Sequence, residues 1–217
     1  MKLIKKGLIL IISTWLFSCS EDITRYSCDP EVDKYVIENF TVLKSVNVSE
    51  LSTYSDELQR AAYRSFSPMK KYEIWVEKLK ILSTDETFTI EEQQHIFELQ
   101  THLTSELFDS ENISAYAAFI SFYNSWEKKA YTELNWDKTL LTFVTSSLNI
   151  YYDDFLTTSP LVVPAALNGN DCYCNQSSDG CPTGSHCAST VCTVDTSPDG
   201  CGILWLEECN GACFSND

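Results

Sequence analysis

The sequence predicts an all-α helical bundle followed by a small disulfide-rich domain with a β-hairpin. Three observations predict it. No glycine occurs from residue 20 to residue 168, and Pro68 is the sole proline between residues 31 and 159. Helix-capping residues followed by apolar side chains at steps of three and four recur along that span. Eight of the ten cysteines then fall in the last 46 residues. Glycine and proline are the main punctuators of structure, so a long span nearly free of them suits helices joined by short polar turns.

Residues 1–18 read as a lipoprotein signal peptide. Lys2, Lys5 and Lys6 form a basic start, and Leu8 to Phe17 is almost wholly apolar. That is the pattern of a secretory signal, and the run is too short for a spanning helix of ~20 residues. Leu16-Phe17-Ser18-Cys19 resembles a bacterial lipobox, which implies lipidation of Cys19. Residues 19–28 would be an acidic lipidated tether. Its Ser20-Glu21-Asp22 resembles the acidic tag of lipoproteins exported to the outer face of the outer membrane of Gram-negative bacteria.

Residues 29–156 read as the all-α domain. Asp29-Pro30 is an N-cap followed by proline at the first helical position, and Val32, Tyr35, Val36, Phe40 and Leu43 follow at helical spacing. Ser55 can cap a helix carrying Leu58, Ala61, Ala62 and Phe66. Ser67-Pro68 repeats the first signal ahead of Tyr72, Trp75, Val76 and Leu79. Thr89-Ile90-Glu91-Glu92 is a capping box ahead of Ile96, Leu99, Leu103 and Leu107. Asp109 or Ser110 would open a helix through Ala115, Phe119, Phe122, Tyr123 and Trp126. Asp137 would open the last, through Leu140, Leu141, Val144 and Leu148. Residues 157–170, with Pro160 and Pro164, read as a linker.

Residues 171–217 hold Cys172, Cys174, Cys181, Cys187, Cys192, Cys201, Cys209 and Cys213. A segment of this length seldom folds on apolar burial alone. Behind a secretory signal, disulfides persist, so four bridges are expected from 105 possible pairings. Zinc is the rival reading. Zinc sites favour paired C-x2-C motifs or histidine, and here there is no C-x2-C and only His186. Ser197-Pro198-Asp199-Gly200 is a turn signal between the β-rich runs 191–196 and 203–207, which predicts a hairpin. Trp205 would cover its buried face or present its ring outward. Asn210-Gly211 marks a further turn, and Cys28 is left over, either as a buried or inert thiol or as one half of a mixed disulfide or dimer link.

The net charge of −16 argues against nucleic acid, because phosphate binding needs clustered Lys and Arg. Loss of residues 1–18 removes three basic residues and leaves 12 against 31 acids, a net of −19. Beyond Lys138 there is no Lys or Arg, only nine acids. Attraction to anionic lipid is therefore not the membrane contact, and the lipid on Cys19 would be.

The tail resembles the fulvocin C-related bacteriocin family. The residues carrying the resemblance are Cys172-Tyr173-Cys174, Ser178-Asp179-Gly180-Cys181, Gly200-Cys201-Gly202-Ile203-Leu204-Trp205 and Cys209-Asn210-Gly211-Ala212-Cys213. Upstream, Arg60-Ala61-Ala62-Tyr63-Arg64-Ser65-Phe66 before Ser67-Pro68 resembles larger members. The resemblance implies a disulfide-rich bacteriocin module behind a longer N-terminal region, with an antagonistic activity.

Catalytic patterns are poorly matched. HExxH, GxSxG and the P-loop do not occur in the sequence. A cysteine nucleophile would require Cys28 with the distant His95 or His102. Glu91, His95, Glu98 and His102 share a helical stripe, where a solvated polar flank is the simpler reading than metal ligation. No catalytic residue, cofactor or metal is expected. The expected function is a bacteriocin-like lipoprotein at the outer membrane, surface-exposed, with the tail as effector and release by cleavage in the linker. The alternative is a non-toxic surface binding or adhesion lipoprotein. Trp205 and Phe214 are the expected contacts with a target-cell receptor or surface ligand.

Overall fold

The computed structural model describes residues 25–158, 174–177, 181, 185–189 and 199–215. The expectations for residues 1–18, for Cys19, for Cys172 and Cys192, for the strand at 191–196 and for most of the linker lie outside these residues.

The architecture is a helical region followed by a two-stranded antiparallel sheet with paired cysteines. The helices start where the cap signals stand. α1 (Pro30–Glu38) begins at Asp29, whose Oδ1 accepts from the N–H groups of Glu31 and Val32 at 2.7 and 3.2 Å. These are donors that a helix start otherwise leaves unsatisfied. Two short turns follow, α2 (Phe40–Leu43) and α3 (Val48–Leu51). Ser55 caps α4 (Asp56–Arg64), and Ser67 caps α5 (Pro68–Leu82). Thr89 and Glu92 close a reciprocal capping box on α6 (Ile90–Thr101). α7 (Ile113–Thr132), α8 (Lys138–Ser146, capped by Asp137) and α9 (Tyr152–Thr158) complete the helical part of the described chain.

Two boundaries differ from the sequence reading. The periodicity through Leu43 does not make one helix. Asn39 ends α1, its amide donating to the Tyr35 carbonyl at 2.9 Å. Neither Asp109 nor Ser110 caps α7. Leu107 and Phe108 are buried in a 3-10 turn, Ser105–Phe108, and the helix waits until Asn112, whose Oδ1 accepts from Ala115 N–H at 3.1 Å.

α5 packs against α3, α6 and the Ser105–Phe108 turn, α1 against α4, and α6 against α7. Their apolar faces meet in one core around Trp75, Leu79, Leu82, Ile96, Leu99 and Tyr123. Leu204 and Trp205 of the tail belong to the same core. Among the described residues no helix is long and apolar enough to cross a membrane.

The sheet pairs β1 (Ser185–Ser189) with β2 (Gly211–Ser215), His186 lying opposite Phe214 and Cys187 opposite Cys213. Of the expected hairpin, the run 191–196 and most of the 197–200 turn lie outside the described residues, and the run 203–207 is not a strand. Ile203–Trp205 forms a 3-10 turn, with a single antiparallel bridge between Cys201 and Glu207 around it. The physical reason is burial. An extended 203–207 run would alternate faces, whereas the turn puts Leu204 and Trp205 together into the helical core. Nor is Asn210-Gly211 a free turn. Gly211 opens β2, and a Cβ there would lie 2.5 Å from Cys187 Sγ.

Candidate functional site

The site is the seam between the bundle and the tail. It joins the two sequence motifs that stand out on either side of the linker. α4 turns Arg60, Tyr63 and Arg64 to one side, at spacings of three and four, and all three are buried. Against them lie Asp199 to Trp205. Arg60 Nη1 donates to the Gly200 carbonyl, Tyr63 Oη donates to the Leu204 carbonyl at 3.2 Å, and Arg64 Nε donates to the Asp199 carbonyl at 3.4 Å. Arg64 Nη1 also donates to the Tyr26 carbonyl at 2.8 Å, so one guanidinium ties both the N-terminal segment and the tail to α4.

The tail folds locally to meet these groups. Gly200 has φ +115°, and a Cβ on it would stand 3.1 Å from Arg64 Nε. Gly202 has φ +68°, and a Cβ there would stand 2.4 Å from the Glu207 carboxylate. Both conditions select glycine. Leu204 and Trp205 also have positive φ, at 51° and 54°. For bulky residues this costs about 1–3 kcal/mol each, which the burial of both side chains offsets.

Trp205 is fully buried, so it is not the outward contact that the sequence suggested. Its ring meets Tyr63 and Trp75 edge-on at centroid distances of 5.2 and 6.1 Å, with the Arg60 guanidinium 4.6 Å from its centroid. Its Nε1 donates to the Ser146 carbonyl at 2.8 Å. Lys78, also fully buried, donates to the carbonyls of Phe143, Val144 and Ser147. Of the carbonyls at the C-terminal end of α8, which a helix leaves without internal partners, those of Phe143 and Val144 are met by one amine from α5 and that of Ser146 by one indole from the tail. Burial pushes the Lys78 ammonium well below its ordinary value. Lys71 forms a buried ion pair with Asp199, both side chains less than a tenth exposed. Phe214, the other expected contact, is half-buried, its ring 6.5 Å from that of His186.

A cleft of about 190 Å³ opens where the tail meets α7 and α8. Glu127, Tyr131, Lys138, Thr142 and Ile203 line it. Burial raises the Glu127 carboxyl above its usual range, opposed by a hydrogen bond from Tyr123.

The tail's own interior is made of cystine. Cys174 pairs with Cys187, Cys181 with Cys213 and Cys201 with Cys209. Cys187 and Cys213 face each other across the sheet and each bonds outward to a different partner. The close approach of Cys174, Cys181 and Cys213 sulfurs reflects this stacking of two disulfides. Cys28 is disulfide-bonded too, so it is not a leftover thiol. The sequence leaves the state of Cys28 open because the eight tail cysteines can pair among themselves, whereas in the fold Arg64 holds both Tyr26 and Asp199 and brings the N-terminal segment to the seam. Non-reducing peptide mapping of the mature protein is expected to return these three pairs and a fourth bridge from Cys28 to a cysteine outside them. Quantitative alkylation of Cys28 without reductant would contradict it.

The histidine stripe does not converge. His95 is buried, stacked on Trp126 at 4.3 Å and edge-on to Trp136 at 5.5 Å. Glu98 Oε2 lies 3.6 Å from its Nδ1, too far for a hydrogen bond, and neither ring nitrogen has a partner among the described residues. His102 instead sets its Nδ1 2.9 Å from the Glu98 carbonyl oxygen and stacks on Phe122. Burial first, and then Lys129, lower the His95 pKa below 6.5, with Glu98 opposing. The unfolded chain therefore binds the proton first as pH falls, and stability drops as pH descends through 6.5 towards the lower native value. Urea midpoints between pH 7.5 and 5 should show this slope, and His95→Phe should lessen it. An unchanged slope would assign the effect to other groups.

Comparison with protein-family models, with curated proteins and with solved structures finds no match to this chain.

Proposed function

We propose that the chain is a bacteriocin-like surface lipoprotein of the fulvocin C-related type that acts with its tail docked, by contact between cells, and not through a freed tail. The lipobox-like Cys19 would hold it at the outer membrane, and the stapled tail would be the effector face. The observation that carries the docked form is the seam. Trp205, the Lys71–Asp199 pair and the Arg60 and Arg64 hydrogen bonds bury the tail's apolar segment in the bundle. Cleavage between residues 157 and 170 would leave those contacts in place, so cutting the linker does not by itself free the tail.

The test is co-culture of cells displaying the full-length chain with related bacteria. Growth inhibition is expected with the intact chain, and loss of inhibition with Cys181→Ser/Cys213→Ser. Inhibition by cell-free supernatant alone would favour release. Absence of inhibition against every strain would overturn the antagonistic reading.

The second reading, a non-toxic surface binding lipoprotein, is supported by the disulfide-stapled scaffold of the tail, on which Phe214 is only half-buried. Binding of the displayed chain to host or neighbour surfaces without inhibition would support it.

A further inference from the structure

The N-terminal segment and the tail meet on one side chain. Arg64 Nη1 donates to the Tyr26 carbonyl at 2.8 Å, while its Nε donates to that of Asp199 at 3.4 Å. The residues around Cys28 are pinned to the bundle. Asp33 Oδ1 accepts from the N–H groups of Tyr26 and Ser27 at 2.7 and 3.4 Å, the Ser27 hydroxyl donates to Glu57 at 3.2 Å, and Asp29 caps α1. The backbone carrying Cys28 is thus fixed next to the tail. Cys28 is disulfide-bonded, and the other six described cysteines are paired among themselves. Its partner is therefore Cys19, Cys172 or Cys192, the three cysteines that remain in the sequence.

The inference rests on the lipoprotein reading at one step: acylation of the Cys19 sulfur takes it out of disulfide chemistry. Cys172 and Cys192 then remain, and both lie beyond residues 157–170, two residues before Cys174 and three after Ser189. A bridge from Cys28 to either one spans the linker and ends in the stapled tail. It also differs in access from the other three bridges. Each of those has a member no more than 1% exposed, namely Cys174, Cys181 or Cys201. Cys28 is only partly buried, and with Arg25, Lys34 and Ile37 it lines a groove of about 310 Å³. Thiol–disulfide exchange begins with attack of a thiolate on a sulfur it can reach, so access selects the bridge that opens first.

We propose that Cys28 and one of Cys172 and Cys192 form a reducible latch that ties the tail covalently to the N-terminal segment across the linker. A cut in the linker then leaves two fragments joined, and their separation needs a second event, reduction by a dithiol. One thiolate of the dithiol attacks Cys28 Sγ, and the tail cysteine leaves as a thiolate. The second thiol then displaces Cys28, so the dithiol closes to a cyclic disulfide and its two electrons and two protons pass to the cysteines. The test uses the oxidised, mature full-length protein in detergent, with a site-specific protease sequence placed between residues 160 and 166. After cleavage, SDS without reductant removes the non-covalent contacts of the seam. Electrophoresis should show one band of the uncut mass, resolving into two fragments with dithiothreitol. Cys28→Ser should give two fragments without reductant. Separation of the parent's fragments in SDS alone, or a single band from Cys28→Ser, would overturn the latch. Under limiting dithiothreitol with iodoacetamide, peptide mapping should find Cys28 alkylated about tenfold faster than the six paired tail cysteines. Equal rates would overturn its place as the first bridge to open. The mass of the N-terminal peptide reads lipidation separately. A bridge from Cys28 to the tail on an unlipidated chain would support the latch and overturn the lipid anchor, and a Cys19–Cys28 bridge would overturn the latch.

Discussion

Trp205→Ala is expected to lower the stability of the whole chain, not of the tail alone, by about 3–5 kcal/mol, as large-to-small changes of buried aromatics do. For a chain of this size that is a fall in Tm on the order of 10 °C. The argument is geometric. The ring is fully buried among Tyr63, Trp75 and Arg60, and its N–H satisfies the Ser146 carbonyl at the end of α8. Removing it opens a cavity in the helical core and strips a helix end of a donor. Trp205→Phe separates the two effects. It keeps most of the packing and should cost the smaller share, about 1–3 kcal/mol for an unsatisfied buried carbonyl. Urea denaturation followed by circular dichroism at 222 nm reads both. A loss below 1 kcal/mol for Trp205→Ala would mean that the tail's apolar segment is not part of the bundle's core.

Lys71→Met is expected to destabilise by about 3–5 kcal/mol, because it leaves Asp199 buried and without its cation. The double variant Lys71→Met/Asp199→Leu should recover most of that loss, since two apolar residues of similar volume replace a pair whose charges were costly to desolvate. The loss in the single variant should change little between low and high salt, because buried pairs are screened much less than exposed ones. Denaturation midpoints of the parent, both single variants and the double variant form the cycle. A coupling near zero would show that the tail is held by packing alone.

Both results bear on how the tail is held. Residues 199–206 are fastened at four kinds of contact: an ion pair, hydrogen bonds to backbone carbonyls, edge-on aromatic packing and a guanidinium over an indole. The strongest of them use cations from α4 and α5. The tail itself carries no Lys or Arg. Its acidity, which argues against membrane attraction, has a structural counterpart, in that Asp199 and two neighbouring carbonyls are the acceptors that the bundle's buried cations need.

Much of this was legible beforehand. The N-caps at Asp29, Ser55, Ser67, Thr89 and Asp137 were read from the residue and its followers, because capping is a local exchange between a side chain and the next few N–H groups. Leu79, Ile96, Leu99 and Val144 were placed in the core by periodicity alone. Arg60, Arg64, Lys71 and Lys78 were not, since a cation on an apolar stripe is read as solvated until a partner is found. The one available signal was composition: Arg60 and Arg64 stand one turn apart around Tyr63, in a motif notable in the sequence, while the tail is all acid. The pairing of Asp199 with Lys71, 128 residues away, was beyond reach.

What the sequence determined by itself is what short-range chemistry decides: helix starts, the glycine-free helical span and the switch to a cysteine-stapled segment. What only the tertiary structure decided is where the tail's apolar residues go. The tail's own buried apolar cluster consists of cysteines, Cys174, Cys181 and Cys213 with Cys187 beside them. Leu204 and Trp205 had no shelter of their own, and burying them took a surface that exists only once α4, α5 and α8 are assembled. The same assembly brings Cys28's neighbourhood to the seam. Hydrophobic burial is non-directional and indifferent to sequence distance, so neither the choice of that surface nor its consequence, one shared core across the linker, is written in any local pattern.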